Sequence, residues 1–177
     1  MRRCSAFLPL LAFCAAASAA TLQYLTLDEM TAQATAVVRG TIVASHTTTR
    51  GPVIYTLYTM QVSERIKGGT ARTIDIAVPG GVANGIRQTF AGAPALETGG
   101  EYVVFTWQSK SGLNLIMGLS QGLFTVSEGS GGAEASVSQS GTSELVLNSR
   151  GQEITTTPLR LSIGQLRDQV KRVGAAQ

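Results

Sequence analysis

The sequence predicts a mainly β domain: an antiparallel barrel with a short N-terminal helix and an amphipathic C-terminal helix. Three observations carry this. Charged residues are few at 14%, while Thr, Ser, Gly and Val are abundant, a balance that favours strands joined by turns. Between Val53 and Ile66, Ile54, Tyr58, Met60, Val62 and Ile66 alternate with Tyr55, Leu57, Thr59, Gln61 and Ser63, the period of a strand with one face inward. Two capping boxes, Thr26 with Glu29 and Ser162 with Gln165, mark a helix start at each end of that β-rich region.

Residues 1–20 read as a secretory signal. Arg2 and Arg3 precede an apolar run from Phe7 to Ala17, which ends in Ser18-Ala19-Ala20. A positive end, a short apolar stretch and small residues fit cleavage after Ala19 or Ala20, whereas a membrane anchor needs about 20 apolar residues. No later segment predicts a membrane span. Leu11-Ala12-Phe13-Cys14 is similar to a lipid-attachment motif, but Phe13 stands where that pattern has a small residue, so anchoring through Cys14 is disfavoured. The expected location is secreted or periplasmic.

Cys4 and Cys14 are the two cysteines, and both fall in the signal. The remaining chain, residues 21–177, therefore has no disulfide, thiolate metal site or cysteine nucleophile, which fits a bacterial envelope or exterior. Without Arg2 and Arg3 the fourteen Lys and Arg become twelve against eleven Asp and Glu, a net charge of +1. Beyond Lys171-Arg172 no basic patch is evident, so nucleic acid is excluded as an expected partner. About 157 residues make one domain large enough to bury a core.

Taken in order, Leu27 to about Ala34 predicts the first helix, stapled by Leu25 and Met30. Thr35 to Ser45 and Val53 to Ile66 predict two strands, joined by a polar loop ending in Gly51-Pro52. Thr73 to Val78 predicts a third, in a hairpin with the second. The stretch from Val78 to Pro94 holds two Pro and four Gly; Pro79-Gly80-Gly81 and Asn84-Gly85 are turn signals around a short strand from Ile86 to Phe90. Glu101 to Gln108 is apolar on both faces from Tyr102 to Trp107, the mark of a central strand packed on each side. Leu113 to Met117 and Gly122 to Val126 predict further strands. Residues 127–143, rich in Gly, Ser and Ala, predict a flexible loop or a poorly specified hairpin. Leu145 to Leu147 and Ile154 to Thr157 flank a turn. In the last helix Ile163, Leu166, Val170 and Val173 share one face, Lys171 and Arg172 suit the dipole, and Gly174 is placed to end it.

Three segments together resemble a known pattern: Ala36 to Val43, Tyr55 to Val62 leading into Lys67-Gly68, and Leu96 to Phe105 with its Gly99-Gly100-Glu101-Tyr102-Val103-Val104-Phe105 ending. They are similar to the netrin-like module shared with tissue inhibitors of metalloproteinases. The resemblance covers residues 35–107 and implies an OB-like barrel of five strands, a fold used mostly for binding. It does not carry the inhibitors' mechanism, because their zinc-ligating terminal cysteine has no counterpart here.

No constellation of catalytic residues stands out, and no cofactor or metal site is expected. Gly80 and Gly85 have P-loop spacing, but Ile86-Arg87 stands where Lys and Ser or Thr are required. His46, the one histidine, falls in a predicted polar loop without acidic neighbours to orient it. No carboxylate pair has glycosidase or calcium spacing. The candidate ligand-binding residues are Asn84, Arg87 and Gln88, which with backbone N–H groups suit an anionic or sugar group, and Tyr55 and Trp107, an outward aromatic and a strand-end indole. The sequence thus predicts an exported non-enzymatic binding or interaction module with a protein or glycan ligand. The second reading is an inhibitor or partner of a secreted protease or other envelope enzyme, with the stretch from Val78 to Pro94 as its contact. The third is a self-associating surface or matrix component.

Overall fold

The computed structural model describes residues 21–141 and 145–175. The expected signal, with Cys4, Cys14 and both cleavage points, lies outside the described residues, as do Thr142 and Ser143 of the predicted loop. The chain is mainly β. After β1 (Thr21–Gln23) comes α1 (Leu27–Gln33). Its capping box forms: the Glu29 N–H donates to Thr26 Oγ1 at 3.2 Å and the Thr26 N–H donates to Glu29 Oε2 at 2.8 Å. These bonds hold the Glu29 carboxyl below its ordinary range, since they favour the ionised form.

Next come β2 (Ala36–Arg50) and β3 (Val53–Lys67), paired in register up to Arg50 opposite Val53. The polar segment from His46 to Arg50 is therefore strand and not loop, a correction with a simple cause. Thr47, Thr48 and Thr49 are β-branched, and they pair with Thr56, Tyr55 and Ile54, so Gly51-Pro52 alone makes the turn. Three irregularities, between Val37 and Val38, Arg39 and Gly40, and Ile42 and Ala44, bend the long ribbon.

Further on are β4 (Thr73–Pro79), β5 (Gly81–Ala83), β6 (Ile86–Gln88), β7 (Glu101–Gln108) and β8 (Asn114–Ile116). The pairings β2–β3, β3–β4, β4–β8, β8–β7 and β7–β2 make a ring. Four junctions are antiparallel, but β4 and β8 are parallel, which corrects the wholly antiparallel expectation. A ring of five strands is odd, so directions cannot alternate all the way round and one junction must be parallel.

The ring is not a clean barrel, because β7 forks. On its edge away from β2, Tyr102 to Val104 pair with β9 (Leu123–Ser127) and Thr106 to Gln108 pair with β8. Phe105 sits at the fork: its N–H donates to the Gly122 carbonyl at 2.8 Å, and its carbonyl accepts from the Met117 N–H at 2.9 Å. Beyond β9 the sheet continues through β10 (Ser136–Gln139) to β12 (Arg160–Ser162). The 127–143 stretch is thus not a loop throughout: Val137 is 1% exposed in the core, and a 3-10 turn at Ser130–Gly132 precedes the strand. β11 (Leu145–Leu147) pairs in parallel with β1, while the strand expected at Ile154 to Thr157 reduces to a bridge between Leu147 and Glu153.

Two cores result. Inside the ring lie Val38, Ile42, Met60, Ile76, Val104 and Ile116. Outside it, Val37, Val103, Phe105 and Phe124 face Met30 of α1 and Leu166 and Val170 of α2 (Ile163–Ala175). Successive residues of β7 feed opposite cores, as its two apolar faces require. The second capping box also forms, with the Gln165 N–H donating to Ser162 Oγ at 3.2 Å and the Ser162 N–H to Gln165 Oε1 at 2.9 Å. Gly174 does not end α2, which runs through to Ala175.

Arg167 clamps α2 to β3, its Nε and Nη2 donating to the two oxygens of Glu64 at 2.7 and 3.1 Å. The guanidinium holds the Glu64 carboxyl below its ordinary value of 4.5. A carboxyl lowered on folding contributes stability above its unfolded pKa and loses it as pH falls toward the folded one. Glu64→Gln is expected to destabilise the domain at neutral pH by no more than about 1 kcal/mol, given a partly exposed pair. The difference from wild type should close as pH drops below about 4.5. Melting curves across that range check it; a gap that widens in acid would refute the assignment.

Candidate functional site

Trp107 and Tyr55 come from distant parts of the chain, and the ring brings them to one cleft. Leu57 lies opposite Ala77, Ala77 opposite Leu115, and Leu115 opposite Trp107; one rung along, Tyr55 lies opposite Pro79. Because neighbours of this row such as Ile54, Val78 and Ile116 are buried inward, the period of two sends Tyr55, Leu115 and Trp107 outward. The cleft they border has a volume of about 330 Å³. Trp107 is 40% exposed, a large aromatic surface left to solvent at the cleft wall.

Leu119 closes the rim with a positive φ of 63°. A branched, bulky residue adopts this backbone region only under constraint. The constraint is visible: the Ser120 and Gln121 N–H groups both donate to the Gly118 carbonyl. Buried Gln121 then anchors the turn, its Oε1 accepting from the Leu25 N–H at 2.9 Å and its Nε2 donating to the Gln23 carbonyl at 2.8 Å. The cleft wall is thereby tied to the segment between β1 and α1. Among the described residues no carboxylate, imidazole or ammonium lines the cleft, and its walls offer apolar contact and an aromatic face.

The other three sequence candidates lie on the hairpin β5–β6. Asn84 (φ 51°) and Gly85 (φ 75°) form its turn, and two consecutive positive φ values define type I′. The amide of Gln88 is engaged: Oε1 accepts from the Ile54 N–H at 2.7 Å and Nε2 donates to the Pro52 carbonyl at 2.8 Å. It fastens the hairpin to the β2–β3 turn, which leaves Asn84 and Arg87 as the exposed members of the three. Asn84, Arg87 and Gln88 therefore do not converge on one ligand position. Gly81 explains the close seating, since a Cβ there would lie 2.8 Å from Thr56 Oγ1 and 3.0 Å from Thr47 Cγ2.

A second cleft, of about 510 Å³, lies between residues 92–97 and β9. Ser120 is at its wall, and its buried Oγ finds no partner among the described residues. Nothing in the sequence marked it beyond the flanking Gly118 and Gly122. His46 is exposed on β2, and among the described residues no three His, Cys, Asp or Glu side chains are grouped to hold a metal ion. Among these residues no helix is long and apolar enough to cross a membrane. The sequence matches no family model and no curated protein.

Proposed function

We propose that this protein is an exported, non-enzymatic interaction module on an OB-like barrel of the netrin-like type, and that its cleft at Trp107 and Tyr55 receives an apolar side chain of a partner protein. The observation that carries the reading is the meeting of an exposed indole and a phenol over an apolar floor. Such pockets are where partner anchors bury most of their binding energy. A glycan fits less well, because stacking on Trp107 would leave its hydroxyls facing Pro79, Leu115 and Leu119 without hydrogen-bond partners. Export rests on the N-terminal pattern of arginines, apolar run and small residues.

The single tryptophan makes the test site-specific, since all indole emission comes from this cleft. Titrating the purified protein with short leucine-rich peptides should shift that emission to the blue, and chitin oligosaccharides should not. By calorimetry, Trp107→Ala is expected to weaken the peptide by about thirtyfold, the size of a loss of roughly 2 kcal/mol at an anchor. Emission that responds to oligosaccharide and not to peptide would replace the partner protein by a glycan. Reproducible substrate hydrolysis, abolished by one polar substitution, would overturn the non-enzymatic reading. The second reading, a partner of a secreted protease, is favoured by one observation: the hairpin within residues 78–94 exposes Val82, Ile86 and Phe90.

A further inference from the structure

Apart from the Trp107 cleft, the hairpin β5–β6 presents a strand edge of its own. In a hairpin closed by a two-residue turn, the flanking pair exchanges hydrogen bonds and the next pair does not. Ala83 and Ile86 flank Asn84-Gly85, so Val82 and Arg87 are the next pair and direct their backbone N–H and C=O groups away from each other. The β5 side is covered: Val82 O accepts from Thr47 Oγ1 at 2.9 Å, and Gly80 O from Thr56 Oγ1 at 2.9 Å. The β6 side is open, and Arg87 has neither a backbone partner across that edge nor an ion pair among the described residues.

The edge is flanked by apolar surface and by one sign of charge. Ile86 is 61% exposed and Phe90 40%, with Arg87 on the opposite face of β6 from Ile86. The chain carries no Asp or Glu from Ile76 to Leu96 or from Val43 to Ser63, the two stretches that build this end of the molecule. Arg50, at the turn that Gln88 fastens to β6 through the Pro52 carbonyl, adds a second exposed cation. A charged edge ordinarily keeps strands apart, and here it does so for a second copy of this chain, whose Arg87 would face the first across a two-fold axis. The same charge invites a carboxylate.

We propose that the β6 edge receives an extended, acidic segment of a partner protein, which adds a strand beside Ile86–Gln88 with a carboxylate over Arg87 and apolar side chains over Ile86 and Phe90. Backbone pairing supplies affinity and the alternation of side chains supplies selectivity. The ligand is thereby specified as a chain alternating acidic and apolar residues, since the period of two separates the face of Arg87 from that of Ile86.

The probe is a short peptide alternating valine and glutamate, with a matched peptide alternating valine and lysine. The acidic peptide is expected to bind, and to slow hydrogen exchange at the Arg87 amide. Arg87→Glu should weaken it about tenfold and let the lysine peptide bind instead. Trp107→Ala should leave both results unchanged, so that failure here and failure of the cleft reading are told apart. Binding without protection of the Arg87 amide would overturn the proposal. So would equal binding by an anionic polysaccharide, or dimerisation of the chain that itself protects that amide.

Discussion

Phe105→Ala is expected to cost roughly 3–5 kcal/mol of folding stability. Phe105 is fully buried, its ring 5.6 Å from that of Phe124, and it belongs to the outer core with Met30 of α1 and Leu166 of α2. It also occupies the residue of β7 at which β8 and β9 part, where its backbone bonds Gly122 and Met117. The strands on either side are held by those backbone bonds, so they cannot collapse freely into the space the ring leaves. Poor collapse puts a substitution at the costly end of the range. Domains of this kind have a net stability of about 5–15 kcal/mol, so a large part of the total is at stake. Chemical denaturation reads the loss, with Phe105→Leu as the smaller step at about 1.5 kcal/mol or less. A cost for alanine under about 1 kcal/mol would mean that the helices do not pack on the fork.

What was legible in the sequence was local. Both capping boxes formed because their partners are three residues apart, and the boundaries of β7 followed from an apolar run that needs cover on both faces. What was missed depends on distant partners. Residues 136–139 offer one apolar side chain, Val137, in a Ser- and Gly-rich stretch, and they become a strand because β9 and β12 supply backbone partners on both sides. The three residues of β8 carry no signal that they will close a ring, since its seam with β4 is only two register pairs long.

The same division runs through the candidate site. Asn84-Gly85 could be read as a turn, because a pair tolerant of positive φ specifies one directly. Tyr55 and Trp107 could each be singled out by exposure and type, but their meeting is a product of strand order and register. The polar role of Gln88 was open to misreading for the same reason: its bonds to Ile54 and Pro52 reach across the fold. Leu119 and Ser120 gave no warning, as neither residue type suggests a strained turn or an unpartnered hydroxyl. In this chain the sequence names candidate groups, and tertiary pairing decides which of them remain free to bind.

Gly40→Ala should be the other severe substitution, at about 3 kcal/mol or more, although it adds a single methyl group. Gly40 lies in β2 between Val62 of β3 and Tyr102 of β7, beside one of the irregularities of the long ribbon. A Cβ there would stand 2.2 Å from the Gln61 carbonyl oxygen and 2.8 Å from Met60 Cγ. The first of these is backbone, held in the β3–β4 pairing as well, so relief requires moving a strand that also carries Tyr55 and the clamp from Glu64 to α2. Gly174→Ala is the matched control: a Cβ there meets nothing within 4 Å, and in a helix the exchange should stabilise by about 0.5 kcal/mol. Paired denaturation curves separate the two effects, a steric one confined to β2 and a conformational one shared by both glycines. Equal and small changes at the two positions would mean that β2 and β3 do not approach as closely as the irregular pairing brings them. A large loss at Gly40 alone, accompanied by a red shift of the Trp107 emission, would show that the bend in β2 holds the ring closed and keeps the cleft in shape.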